Sequence, residues 1–444
     1  MSSKKHLESI IIKYKLKIWL IKAGEPVPVK RKDYRLMRTG LMAKIFSEKN
    51  ANVTWITSTF FHQKKETLFD KDTIVTINKN YKIFFIKTPE YKKNISFKRL
   101  INHRILAKSF LKKVKVLEKP DIIVLSYPPM RLCVEVEKFA KEQNIPVILD
   151  IRDLWPEDFA NLIPVIPFFI KRILLFYPYY IAAKIFKNAF AITSITDEII
   201  NWAFHLSGIT NKPNAAFPHG YFKVKPNKLK IKNNIILKYT RDKKQKDFYI
   251  VFFGMLSEQF NIDYIISIAE ILYNVNKNIK FFIFGDGPRK KEYLKKTINL
   301  KNIFIPGYIT QEEIRKIMQK SDLGVAPYIG YQSFNLSVPN KVIEYMSGGL
   351  PILSSISGVV GNLIQKNNCG YIYDGLSPKE TADLIIKIYN NPKELKIKSK
   401  NALNLFNEKY KAEKVYADYY NYIQMIVKQY KISSEKKLNS GRRR

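Results

Sequence analysis

YIVFFGMLSEQFNIDYIISIAEILYNVNKNIKFFIFGDGP, residues 249–288, is the stretch whose reading decides the fold. It opens on a run of aromatic and β-branched residues closed by Gly254, passes through a longer periodic segment, and returns to a second such run ending in Gly285, Asp286, Gly287 and Pro288. Strand, helix-length spacer and strand make a parallel βα unit. The glycines stand at strand ends, where a residue without Cβ lets a phosphate, a sugar or another backbone come close. A tight strand-to-helix turn accounts for G-D-G-P equally well.

Working outward, the same alternation runs from Lys15 to about Asn390 and falls into two series. Strands are expected at Leu16–Ile21, Val53–Thr57, Ile83–Lys87, Ile122–Ser126, Val147–Ile151 and Phe190–Ser194, with a helix over Met130–Gln143. The second series has them at Tyr249–Gly254, Lys280–Gly285, Ile303–Gly307, Leu323–Tyr328, Pro351–Ser354 and Gly370–Tyr373. Between the series, KVKPNKLKIKNNIILKYTRDKKQKD, residues 223–247, is basic and aperiodic, as a linker should be. The expected class is α/β with two Rossmann-like, doubly wound domains over 1–225 and 226–410. A C-terminal helix over 411–432, returning to the first domain, and a disordered basic tail over 433–444 complete the plan.

Composition bounds the function. The 444 residues suit two ordinary α/β cores. Cys133 and Cys369 are the only cysteines, and the start shows no secretory leader, so a reducing cytoplasmic setting with two inert thiols is expected. The net charge of +39 is spread over both halves and reads first as a basic surface. It concentrates at Lys98–Lys119, where eight basic residues face Glu118 alone, the mark of a basic amphipathic helix. No segment supplies the run of about 20 apolar residues that a membrane span needs. Phe159–Ile170 and Ile173–Ala183 come nearest, but Lys171, Arg172, Pro164, Pro167 and Pro178 break them, so an interfacial segment is expected.

SVPNKVIEYMSGGLPILSS, residues 337–355, carries the chemistry. Pro339 and Asn340 can start a helix whose free N–H groups and positive dipole end attract an anion, and Lys341 adds a mobile charge there. Glu344, one turn on, can offer a carboxylate to ribose hydroxyls. Gly348, Gly349 and Pro351 end the helix. An ordinary surface helix with one Lys and one Glu is the plainer alternative.

These segments resemble those of retaining glycosyltransferases of family 4, in the bacterial polysaccharide branch that includes N-acetylfucosamine transferases of O-antigen and capsule assembly. GEPVPVKRKDYRLMRTG, VTWITSTFFHQKK, LDIRDLWPEDF, FPHGYF, FGDGP, IPGYITQEEI and PNKVIEYMSGGLPIL occur in that family's order over nearly the whole chain. The resemblance implies the GT-B fold, two Rossmann-like domains facing a central cleft. It implies transfer, with retention, from a nucleotide sugar, UDP-linked and carrying an N-acetylated hexose or deoxyhexose, to a lipid-linked saccharide, and the basic helix Lys98–Lys119 with the stretch Phe159–Phe186 leads us to expect an anionic membrane surface at the inner face of the cell membrane. Glu344 falls on the second glutamate of the family's paired-glutamate motif, which holds the ribose, and Tyr308 and Ile309 lie beside the base. The first glutamate of the motif falls at Leu336, and the loop that carries Arg and Lys in many relatives holds Ser257, Glu258, Gln259 and Asn261.

Gly254, Gly285, Gly287, Asn340, Lys341 and Glu344 are thus the expected donor-binding residues, with Lys341 neutralising the leaving diphosphate. Gly24, Glu25 and His219 are expected at the acceptor or phosphate loop. Asp153, after VILDIR, is expected to orient an acceptor hydroxyl, with an Arg152–Asp153 ion pair as its rival role and a packed structural imidazole as that of His219. His62 and His103 have no partners at ligand spacing, so no metal site and no cofactor are expected. Two other classes compete: a sugar-nucleotide epimerase of the same fold, which would turn over without acceptor, and a nucleic-acid-binding protein, which would show a steep salt dependence with RNA.

Overall fold

The computed structural model describes residues 15–29, 35–92, 96–161, 167–223 and 243–441. The chain divides into two compact units, one formed by Met1–Gly220 with Glu413–Arg444 and the other by Tyr221–Ala412. Most of the expected linker lies outside the described residues.

The first unit runs β1 (Lys17–Ile21), α1 (Arg38–Glu48), β2 (Asn52–Ser58), a small hairpin of β3 (Phe60–Phe61) and β4 (Glu66–Thr67), β5 (Thr73–Asn78), β6 (Tyr81–Ile86), α2 (Phe97–Lys113), β7 (Ile122–Tyr127), α3 (Met130–Glu142), β8 (Val147–Ile151), α4 (Glu157–Asn161), α5 (Phe168–Leu174), α6 (Phe176–Asn188), β9 (Ala191–Ser194), α7 (Asp197–Ser207) and β10 (Asn214–Ala216). Its eight-stranded sheet has the order β10-β9-β8-β7-β1-β2-β6-β5. Pairing is parallel, with Ile18 beside both Val53 and Ile122, except where β5 joins β6 antiparallel. The central strands are buried along their length, as a sheet covered on both faces requires.

The second unit runs β11 (Phe248–Phe253), α8 (Ile262–Val275), β12 (Ile279–Phe284), α9 (Lys290–Lys296), β13 (Ile303–Gly307), α10 (Gln311–Met318), β14 (Leu323–Ala326), α11 (Gln332–Asn335), α12 (Asn340–Ser347), β15 (Ile352–Ser354), α13 (Val359–Asn367), β16 (Gly370–Ile372), α14 (Pro378–Tyr389) and α15 (Pro392–Lys409). Its six strands are all parallel, in the order β13-β12-β11-β14-β15-β16. Strand order reverses between β1 and β7 in one unit and between β11 and β14 in the other. Crevices at such switch points, outside the carboxyl ends of the strands, are where doubly wound sheets bind ligands.

The last helix, α16 (Ala412–Gly441), packs Tyr416, Tyr419, Ile423 and Ile426 fully buried. It runs to Gly441, into the segment expected to be a disordered basic tail from 433, of which 442–444 lie outside the described residues. Glu435, Lys436 and Lys437 are good helix formers and extend a helix already anchored by packing.

Candidate functional site

In the second unit the expected donor-binding residues gather at the carboxyl ends of β11 to β14. The backbone N–H of Gly254 donates to the Phe284 carbonyl at 3.0 Å, tying the end of β11 to that of β12. A Cβ at Gly285, whose φ is +146°, would lie 1.7 Å from the Gly254 carbonyl oxygen, and one at Gly287 would lie 2.4 Å from that of Leu256. Backbone packing therefore accounts for both glycines, which is the tight-turn alternative. Tyr308, just after β13, is 73% exposed, while its neighbour Ile309 is buried.

Helix α12 supplies the polar groups. Asn340, its first residue, is exposed. Tyr345 pins the helix to the sheet by donating to the Val325 carbonyl at 2.9 Å, and its ring lies where a side chain at Gly324 would stand. Lys341 and Glu344, one turn apart, share a face of the helix and are both buried. The Lys341 ammonium donates to the Phe253 carbonyl and sits 4.1 Å from the Phe252 ring centroid and 4.8 Å from that of Phe260. The expected mobile charge is instead a fixed one, held by a strand-end carbonyl and two aromatic faces. Glu344 Oε1 accepts from the Tyr221 hydroxyl at 3.0 Å, and the Tyr221 hydroxyl oxygen accepts in turn from Gln311 Nε2 at 3.2 Å. Burial, with the Glu344 charge beside it, raises the Tyr328 phenol well above its usual pKa.

The loop that departs from the family's basic pattern has its own work. Asn261 caps α8 by accepting the Tyr264 N–H at 3.1 Å.

In the first unit a charge network that the sequence reading missed lies under the expected site. Asp150, fully buried on β8, accepts from Arg38 Nη2 at 2.9 Å and Nε at 3.0 Å and from Arg152 Nε at 2.8 Å. Arg152 also pairs with Glu25, whose other oxygen accepts the Thr39 N–H of α1 at 2.9 Å. Arg38 Nη1 donates to the Phe217 carbonyl at 2.7 Å, and the Thr193 and Tyr419 hydroxyls close the cage around Asp150. Although burial pushes the other way, Arg38 and Arg152 hold the Asp150 carboxyl well below the usual range.

Arg152 thus pairs with Asp150 and Glu25, and Asp153 is exposed beyond the strand end. Burial, together with Arg38 and Arg152, lowers the His219 imidazole to about 3, so it is neutral at ordinary pH. Gly24 adopts φ +85°, a turn that favours glycine. Lys22, on the same loop, was not singled out by sequence; burial and Arg152 lower its pKa while Asp153 and Glu25 oppose them. Among the described residues, no three His, Cys, Asp or Glu side chains group as a metal site would require.

Two doubly wound units with these strand-end sites define the GT-B fold of glycosyltransferases. Sucrose-phosphate synthase from Thermosynechococcus elongatus superposes with a TM-score of 0.71 at 12% identity, over 93% of this chain and 99% of that one. Anabaena HepE in complex with UDP gives 0.62 at 13% identity, over 92% and 100%. Residues 247–391, within the second unit, match the family model described as Glycosyl transferases group 1, which supports that family for this chain. The Dictyostelium discoideum chitobiosyldiphosphodolichol beta-mannosyltransferase is 29% identical over 100 residues, 22% of this chain and 20% of that one. The matches span between a fifth and about two-fifths of the curated relatives' own lengths.

Proposed function

We propose that this chain is a glycosyltransferase that moves a sugar from a nucleotide donor to a lipid-linked saccharide. The observation that carries the reading is Glu344. It is a buried carboxylate at the carboxyl edge of the β11–β14 sheet, already engaging a hydroxyl, on the residue that the family resemblance assigns to the nucleotide ribose. Support for a UDP-linked donor comes from fold neighbours whose structures hold UDP or UDP-glucose. An N-acetylated hexose or deoxyhexose as the sugar, retention at the anomeric carbon and a role in surface polysaccharide synthesis rest on the resemblance alone.

In this reading Glu344 accepts ribose hydroxyls, Ile309 and Tyr308 flank the base, and the α12 tip with Asn340 meets the diphosphate. Lys341 is a preorganised cation at the end of β11, where charge develops on the leaving diphosphate. A fixed charge in a site with little water stabilises such a transition state without reorganising. Asp153 orients the acceptor hydroxyl, and Glu25, set by Arg152 and Thr39, shapes the loop beside it. No metal takes part. The group 1 match favours neither a sugar-nucleotide epimerase nor a nucleic-acid-binding protein.

The membrane part of the reading is supported by exposed apolar side chains. Among the described residues, no helix is long and apolar enough to cross a membrane. Yet α5 and α6 expose Phe169, Ile173, Phe176, Tyr177 and Tyr180, and α2 exposes Phe97, Leu100 and Ile101 beside Lys98 and Arg104. Apolar residues ringed by cations suit insertion into an anionic leaflet, where each cation contributes about 1 kcal/mol. The enzyme would then act as a peripheral protein on the cytoplasmic face.

Thermal denaturation with a panel of nucleoside diphosphates and sugar nucleotides tests the donor half. A ligand at 100 times its Kd stabilises by ~2.7 kcal/mol. A UDP-sugar should raise Tm, and no shift with any nucleotide would overturn the reading.

A further inference from the structure

Arg289 and Lys290 are neighbours at the start of α9, and the fold sends their charges to different places. The Arg289 guanidinium donates to both Glu292 oxygens, at 2.7 and 2.8 Å, and to Asp263 at 2.7 Å. Lys290 turns the other way, to the carboxyl end of β13. A Cβ at Gly307 would lie 3.1 Å from the Lys290 ammonium nitrogen. The φ of +100° at Gly307 is one that a residue without Cβ adopts freely, so glycine both makes the turn and leaves the ammonium its place.

Asp286 balances this charge only loosely. Its Oδ2 stands 3.6 Å from Lys290 Nζ, beyond hydrogen-bond length, and its Oδ1 accepts the Gly287 N–H at 2.9 Å. Among the described residues the Lys290 ammonium makes no hydrogen bond, and the side chain is 28% exposed. Its N–H groups are therefore open to an acceptor beside Gly307.

The next residue along the chain, Tyr308, presents an exposed ring, and the loop that follows leads to Gln311 at the start of α10. Gln311 Nε2 donates to the Tyr221 hydroxyl, which donates to Glu344. The 307–311 loop thus lies two hydrogen bonds from the carboxylate assigned to the ribose. A base carried by that ribose would meet the Tyr308 ring and the Lys290 ammonium together.

Stacking on a ring is tolerant of base identity, because every base has a π face. Discrimination falls to the groups that meet the edge of the base. An ammonium can only donate. Uracil presents the oxygen O4 where cytosine presents an amino group, so an ammonium there is matched to the first and repels the second.

We propose that Lys290 reads the base of the donor nucleotide, donating a hydrogen bond to the keto oxygen O4 of uracil and so selecting UDP over CDP. This rests on the glycosyltransferase reading above and adds the residue that sets the nucleotide. Tyr308 supplies the surface on which the base stacks, and Lys290 supplies the choice.

Calorimetric titration of the full-length protein with UDP and with CDP provides the test, since the two differ only at C4 and in the proton of the adjoining ring nitrogen. Wild-type protein should bind UDP at least tenfold more tightly than CDP. Lys290→Met keeps the aliphatic stem and removes the charge, and Lys290→Gln can turn either a donor or an acceptor to the base. Each variant, shown by circular dichroism to be folded, should bring the two affinities within threefold by weakening UDP, with CDP bound no more weakly than by wild type.

Equal affinity of the wild-type protein for UDP and CDP would overturn the proposal, as would a UDP preference that survives in both variants. Parallel weakening of UDP and CDP would assign Lys290 to the diphosphate, with the same consequence. Those results leave nucleotide binding, and with it the glycosyltransferase reading, in place. Failure of every nucleoside diphosphate to bind the wild-type protein would overturn that reading and this proposal together.

Discussion

The Tyr221 hydroxyl donates to Glu344 Oε1 at 3.0 Å, so the carboxylate assigned to the nucleotide is also a structural acceptor within its own unit. The two roles separate by mutation. Tyr221→Phe should cost roughly 2 kcal/mol of stability, as loss of a hydrogen bond to a charged group does, while changing UDP affinity less than fivefold. Glu344→Ala should weaken UDP at least tenfold with the far-ultraviolet dichroism unchanged. Calorimetry and thermal melts on both variants decide the matter, and near-normal UDP binding in a folded Glu344→Ala protein would remove the assignment.

Lys341→Met keeps much of the side chain's length between the Phe252 and Phe260 rings while deleting its charge. Turnover should fall 100- to 1,000-fold, about 3–4 kcal/mol, with a smaller change in the donor KM. EDTA should leave wild-type turnover unchanged. Activity lost in chelator and restored by magnesium or manganese would contradict the metal-free mechanism.

Breaking the buried ion network should be costly because the remaining partners stay buried. Asp150→Asn or Arg38→Met should each destabilise by about 3–5 kcal/mol. The Asp150 carboxyl lies below its unfolded value, so its contribution is present above about pH 4 and is lost as pH falls through the depressed folded pKa. Acid unfolding followed by tryptophan fluorescence should therefore be less steep in the Asp150→Asn variant.

The half-buried imidazoles act in a different window. His62 at about 4 and His219 at about 3 are neutral in the fold, whereas an unfolded histidine takes up its proton near 6.5. The unfolded state binds more protons below that pH, so Tm should decline as pH drops from 6.5 towards 4. His219→Asn should flatten this decline, and a Tm constant over the range would show that these groups are not desolvated.

Sedimentation with vesicles tests the membrane surface. The protein should pellet with anionic but not neutral vesicles and be released by salt, which screens exposed charges. Replacing Phe169, Ile173 and Phe176 by Ser should abolish pelleting, and Lys98→Glu with Arg104→Glu should weaken it. Protein remaining in the supernatant with anionic vesicles at low salt would refute surface binding.

Most of the sheet was legible because buried parallel strands are continuous apolar runs. Ile303–Gly307 and Val147–Ile151 fall on strands with those bounds. β5 was missed because Thr73–Asn78 alternates between half-buried and exposed side chains on a sheet edge and has no apolar run to find. Glu344 and Lys341 were legible as a pair one turn apart. The immobility of Lys341 was not, since it depends on Phe252 and Phe260, some 80 to 90 residues earlier in the chain, meeting at one point. The Asp150 network did leave a trace. Asp150 and Arg152 are two apart at a strand's end and so share a face, whereas Asp153 lies beyond it. The basic amphipathic helix expected over Lys98–Lys119 is α2, which ends at Lys113.

Tyr419, in the last helix, reaches the Thr193 hydroxyl at 2.6 Å and stacks on Phe217 at 4.4 Å, inside the unit that the first 220 residues build. During synthesis those residues emerge with Asp150 and Arg38 in place but lacking the aromatic wall that encloses them. Some 190 residues of the second unit must be translated before Tyr416 and Tyr419 leave the ribosome. The unit begun first is thus finished last, and a chain stopped short of its final helix would release an unsealed charge network rather than a working half.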